Sequence, residues 1–203
     1  ANVSNVTVVC TTTTYTVGGT VAGLAAGNNV VLRNNGGNDL NVAANGVFTF
    51  TTAVADGAVF AVTVFTQPTT PSQTCVVTNG SGTIAGANVS NVAVVCTTNS
   101  YTVGGTVAGL AAGNNVILRN NGGNNLTVAA NGAFTFSTAL PDQSAYVVTV
   151  FTQPTTPNQT CVVTNGSGNL AGANVSNVTV VCTTTTYTVG GTVAGLAAGN
   201  NVV

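Results

Sequence analysis

The residues best able to do chemistry in this sequence are its five cysteines. Cys75 precedes Cys96 by 21 positions, and Cys161 precedes Cys182 by the same 21. Such spacing suits one disulfide in each copy of a repeated unit, closing a loop worth about 3 kcal/mol on the chain-entropy account. Cys10 is left over, and the same spacing puts its partner upstream of the first residue. The other reading is of buried free thiols that pack as small hydrophobes. Metal ligation fits neither reading, because no two cysteines are closely spaced and the chain has no histidine.

Ionisable groups are scarce. Charged residues make up 2% of the chain: Arg33, Arg119, Asp39, Asp56 and Asp142. Without histidine, lysine or glutamate there is no imidazole base, no Schiff-base amine and no phosphate-holding lysine. The sequence therefore excludes a conventional enzyme and calls for no cofactor. A net charge of −1 gives no field to attract nucleic acid or anionic lipid. Calcium needs several convergent oxygen ligands, whereas the three aspartates are isolated and read as turn residues. Arg33 and Arg119 are expected to point outward with their stems along the surface. Asp39 lies within reach of Arg33, but the second copy of the repeat has Asn125 there and keeps its arginine. GGTVAG and NNGG are glycine-rich without the lysine and following helix of a phosphate loop. Asn5, Asn79, Asn165 and Asn177 head Asn-x-Ser/Thr triplets and are candidate glycan acceptors.

ANVSNV opens the sequence and returns at 87 and 173, a period of 86. Residues 1–86 and 87–172 agree at 68 of 86 positions, and 173–203 repeat 1–31 without change. That period suits a small domain rather than one coil of a solenoid. Two periods and a fraction are expected to be a window on a longer tandem array. Glycine, threonine and valine dominate, and period-2 alternation recurs. Val17 and Val21, Val30 and Leu32, Phe48 and Phe50, and Phe60, Val62 and Val64 each line one side of a strand. Asn45-Gly46 is a hairpin signal, and Pro68 and Pro71 interrupt pairing. The pattern predicts about seven short strands per copy in a two-sheet sandwich. Complete domains are expected at 15–96 and 101–182. Residues 1–10 read as the last strand of a preceding repeat, and 187–203 as the first strands of a following, truncated one. Four-residue linkers favour a stiff linear array. No apolar run approaches the length of a membrane helix, so no direct membrane span is expected.

Gly-Thr-Val-x-Gly-Leu at 19–24, Ala-Asn-Gly-x-Phe-Thr-Phe at 44–50 and the Val-Thr-Val strand at 62–64 together resemble a known pattern. So does TCVVTNGSG at 74–82 followed by VAVVC at 92–96. The chain is similar to the tandem Ig-like (transthyretin-like or CnaB-type) domains of large bacterial cell-surface and secreted proteins. In that family the middle block carries aspartate before the glycine, and here it is Asn45 and again Asn131. The resemblance implies all-β, seven-stranded Ig-like sandwiches in a linear array, forming a stalk, filament or adhesin shaft. Some CnaB relatives staple themselves through a lysine, which this chain lacks.

These features point to a structural repeat module of an extracellular filament, sheath or adhesin stalk, in an oxidising, bacterial cell-surface setting. Self-association into a filament or lateral bundle is expected, because uncharged strand faces lack the lysines that block edge pairing. One alternative is a surface module binding carbohydrate or protein, with surface glycans as partners. Another is a protomer that polymerises by strand exchange, using Val3, Val6, Val8 and Cys10 as the donated face.

Overall fold

A computed structural model describes residues 4–203 of the chain. Its regular structure is all β. The chain divides into two compact units, Ala1–Gly104 with Thr135–Tyr146 and Ser167–Ser176, and Gly105–Phe134 with Val147–Gly166 and Asn177–Val203. The first unit holds the whole of the first set of strands.

That set is β1 (Thr14–Tyr15), β2 (Val17–Ala22), β3 (Val30–Asn34), β4 (Asn38–Val42), β5 (Gly46–Thr49), β6 (Val54–Ala55), β7 (Val59–Thr66), β8 (Gln73–Thr78), β9 (Ser81–Thr83) and β10 (Val89–Thr98). One four-stranded sheet has the order β5-β2-β10-β8, the other β4-β3-β7-β9, and β1 pairs with β6. Alternation explains which side chains turn inward. Val17 and Val21 of β2 are buried while Thr20 and Ala22 are exposed, and Phe60 and Val62 of β7 are buried while Val59, Ala61 and Thr63 are exposed. The inward rows of both sheets meet in one core that includes Phe48, Phe50, Leu32, Ile84, Val94 and the two cysteines Cys75 and Cys96. Three of these ten strands fell outside the seven read from patterning: the two-residue β1 and β6, and β9. Just after Asn79-Gly80, a pair of turn-forming residues, Ser81–Thr83 pairs with β7.

Strand β10 lies between two partners. It runs antiparallel to β8, with Cys96 opposite Cys75. It also runs parallel to β2, so the first long strand of the copy and the last are neighbours in a mixed sheet. The register on β2 slips between Val89 and Val92, and Gly19 sits opposite the slip. A Cβ on Gly19 would collide with the Val92 carbonyl, as one on Gly105 would with that of Val178. Glycine is needed here for close approach of two backbones.

The later strands are β11 (Ser100–Tyr101), β12 (Val103–Ala108), β13 (Val116–Asn120), β14 (Asn124–Val128), β15 (Gly132–Thr135), β16 (Leu140–Pro141), β17 (Ala145–Thr152), β18 (Gln159–Thr164), β19 (Ser167–Asn169) and β20 (Val175–Thr184). Their sheet orders, β15-β12-β20-β18 and β14-β13-β17-β19, repeat the first set position for position. The fold is thus a duplicated all-β arrangement of mixed-sheet, sandwich-like topology. Residues 4–13 and 185–203 carry no strand.

Amide side chains complete the ladder where strands end. Asn45 Oδ1 accepts the Leu24 N–H at 2.8 Å while its Nδ2 donates to the Leu24 carbonyl at 2.8 Å. Gln67 grips Cys75 in the same two-handed way, at 2.8 and 3.1 Å. The buried Gln73 accepts from Ala25 N–H and donates to the Gly23 carbonyl, both at 2.9 Å. A carboxylate could fill only half of the Asn45 role, which explains why asparagine stands there.

Two outcomes follow for stability. Gly19→Ala should destabilise by about 1–3 kcal/mol or more, since the obstacle is backbone and cannot rotate away. Asn45→Asp should cost about 1–3 kcal/mol by leaving the Leu24 carbonyl without its donor. Urea denaturation of each variant against the parent chain measures both, and an unchanged midpoint would contradict the assignment.

Candidate functional site

Sγ of Cys75 and Sγ of Cys96 are bonded, as are those of Cys161 and Cys182, each pair with Cα atoms 3.9 Å apart. Each bridge ties two neighbouring strands of one sheet, β8 to β10 and β18 to β20, with the sulfurs inside the core. Cys10 is free and exposed. Val6 and Val8 beside it are about four-fifths exposed, and Val3 lies outside the described residues.

The four candidate glycan acceptors are all exposed. Asn79 and Asn165 have positive φ values of 54° and 53° and anchor their turns, donating Nδ2 to the carbonyls of Asn91 and Asn177 at 3.3 and 3.4 Å. Among the described residues, no group of three or more His, Cys, Asp or Glu side chains could hold a metal ion. A groove of about 350 Å³ along β4 and β5, lined by Leu40, Val42, Ala44, Val47 and Phe48 among others, holds no ionisable side chain.

The aspartates, alike in sequence, differ in setting. Asp39 is a strand residue of β4, not a turn residue, and forms a two-pronged pair with Arg33: Nε to Oδ1 at 2.6 Å and Nη2 to Oδ2 at 2.8 Å. Those hydrogen bonds from Arg33 hold the Asp39 carboxyl below the usual range, with partial desolvation opposing and the arginine's charge assisting. Asp56 occupies a turn, is exposed, and accepts the Gly86 N–H at 2.8 Å. Asp142, its counterpart one period later, is 4% exposed. Its Oδ2 accepts the Ser72 N–H at 2.6 Å and its Oδ1 the Gly172 N–H at 2.7 Å. The Asp142 N–H in turn donates to the Asn99 carbonyl at 2.8 Å. Ser72 Oγ lies 2.9 Å from the Tyr101 hydroxyl, and the Asn99 N–H donates to the Ser72 carbonyl at 3.0 Å. Residues from two successive copies of the repeat thus converge on one carboxylate, all within the first compact unit. The Ser72 N–H does most to hold the Asp142 carboxyl low; burial opposes, and the N–H groups of Gly172 and Gln143 reinforce.

Arg33 and Arg119 do not snorkel. Each guanidinium lies over a phenylalanine ring, Arg33 on Phe65 and Arg119 on Phe151, both 3.3 Å from the ring centroid. Phe65 and Phe151 are half-exposed. Sequence reading passed over them, although alternation along β7 sets Phe65 on the outward row with Thr63, opposite Arg33. This stack, retained in both copies, is what keeps the arginine where the aspartate has gone.

Fold and site together define a tandemly duplicated all-β protein whose surface carries few charges. No protein-family model matches the chain, and no curated protein matches it. Among solved structures it is similar to the Bacillus anthracis TIE protein, at 10% identity and a TM-score of 0.45 over 82% of this chain and 34% of that one. The chain thus spans about a third of that protein's length. It is also similar to a major pilin protein of Streptococcus pyogenes, at 12% identity and a TM-score of 0.23 over 85% and 97% of the two chains.

A carboxyl held below its ordinary value stabilises the fold above about pH 4 and loses that contribution as pH falls through its own lowered value. Thermal melts from pH 7 to pH 2 should therefore show stability lost below about pH 4. Asp142→Asn should lower Tm at pH 7 by a few degrees and flatten the acid dependence. Asp39→Asn, at an exposed pair, should move Tm little. Equal pH profiles for parent and Asp142→Asn would refute the role given to this carboxylate.

Proposed function

We propose that the chain is a structural repeat module of an extracellular bacterial filament, sheath or adhesin stalk. Its domains are taken as Ig-like, transthyretin-like sandwiches spanning 15–96 and 101–182, laid in line. The observation that carries this reading is the joint at Asp142. A tether between independent binding domains has no need to lock; here Ser72 is bonded both to the linker residue Asn99 and to Tyr101 of β11, and Ser72 and Asn99 are also bonded to Asp142 of the next copy. A shaft that transmits load needs such joints, together with covalent staples inside each copy. The disulfides Cys75–Cys96 and Cys161–Cys182 suit an oxidising, cell-surface location.

Self-association is part of the proposal. The outward row of β8 and β10 pairs Val76 with Val95 and Thr74 with Thr97, exposed and without charge. Such faces carry nothing that repels a second copy.

Small-angle scattering and sedimentation on oxidised protein test both parts. The joint predicts an extended particle whose length holds at neutral pH, and the uncharged faces predict mass that rises with concentration. A particle that flexes freely about residues 97–100 would overturn the shaft, and monomers at high concentration would overturn the self-association.

A further inference from the structure

The duplicated Arg–Phe stack differs between copies at one atom. In the first copy the carboxylate of Asp39 occupies the guanidinium edge of Arg33 through both Nε and Nη2. In the second, Asn125 Oδ1 takes Nε of Arg119 at 2.7 Å. Nε can only donate, so the amide must turn its oxygen to it, and Nδ2 then falls where Asp39 places its second oxygen. Two donors, Nη2 of Arg119 and Nδ2 of Asn125, are left side by side with no protein acceptor among the described residues. Arg119 is the one cation of those residues without a carboxylate partner.

The surroundings are an outward sheet face with no second charge. Across three strands Asn125, Arg119 and Thr149 stand in one row, with Ile117 opposite Thr127 in the next. Phe151 and Val147 are each about half exposed beside them. We propose that Arg119, Asn125 and Phe151 form a binding site for a saccharide carrying a carboxylate, a uronic-acid unit. The carboxylate oxygens accept from Nη2 and Nδ2, a charge-assisted contact of the kind the first copy makes internally with Asp39. The hydroxyls of Thr127 and Thr149 suit sugar hydroxyls, and the exposed ring and aliphatic groups suit the C–H face of a pyranose. An acidic peptide would gain the same carboxylate contact but would find no second cation along this face. The site stands whether or not the chain assembles.

The test is an NMR titration of the whole oxidised chain with sodium glucuronate, following the arginine Nε–H signals and the phenylalanine ring protons. Glucuronate should shift the signals of Arg119 and Phe151 saturably, and those of Arg33 and Phe65 at least about tenfold more weakly. Glucose, which lacks the carboxylate, should leave both stacks unmoved, and acetate should bind less tightly than glucuronate. Asn125→Asp rebuilds the ion pair of the first copy, so it should fold normally and lose the response. Asp39→Asn should confer the response on Arg33. Equal shifts at both stacks, acetate as strong as glucuronate, or a response that survives Asn125→Asp would each overturn the proposal.

Discussion

A strand in this protein exists only where its partners are. Residues 4–12 and 176–184 have the same sequence, SNVTVVCTT, yet the first lacks strand structure and the second lies within β20. The difference is a neighbour: β20 has β18 beside it, with Cys182 opposite and bonded to Cys161. The same holds for residues 15–31 and 187–203. Val17 is fully buried in β2, and Val189, the same residue two periods later, is fully exposed. Local propensity for extended structure is equal in the two settings, so pairing and burial decide. Strand β10 is where this constraint bears hardest, because it joins the start of its copy to the end.

A core built this way needs its backbone groups satisfied without help from charge. Asparagine and glutamine supply that help, since one amide both donates and accepts and can pair with both groups of a single residue. Asn45 does so with Leu24, Gln67 with Cys75, and Gln73 bridges Ala25 and Gly23. Neutral amides cost far less to desolvate than ion pairs of equal reach. The low charge of the chain and its high asparagine content are thus one solution rather than two oddities. Asn45, just before Gly46, belongs to it.

Much of the sandwich is legible in the sequence because alternation fixes which residues face inward. Val17, Leu32, Phe48, Phe60 and Val62 are all core residues. Three things were not legible. The parallel pairing of β2 with β10 joins residues 72 positions apart, Val17 and Val89, and neither strand differs in composition from one with antiparallel neighbours on both sides. β9 hides behind a turn signal. The role of Asp142 depends on donors from Ser72 and Gly172, which lie 70 and 30 positions away. Phe65 was within reach of the same alternation rule that placed Phe60, but an outward aromatic has meaning only once Arg33 is known to lie across from it.

Asp56 and Asp142 sharpen the point about distance. Both follow a two-residue strand, and each accepts an N–H one period removed from the other, Gly86 and Gly172. Asp142, which receives the N–H of Ser72 from the preceding copy, is buried. The joint is therefore encoded in neither copy alone. One copy supplies the acceptor, the preceding copy supplies the donor, and the period of the sequence brings them to the same place. Substitutions that spare this geometry are free to accumulate elsewhere, as Asp39 and Asn125 illustrate. There the ion pair has gone while the stack on phenylalanine, which needs no second charge, holds the arginine at the same 3.3 Å. At this position repetition preserves the contact that places the arginine and lets its polar partner vary.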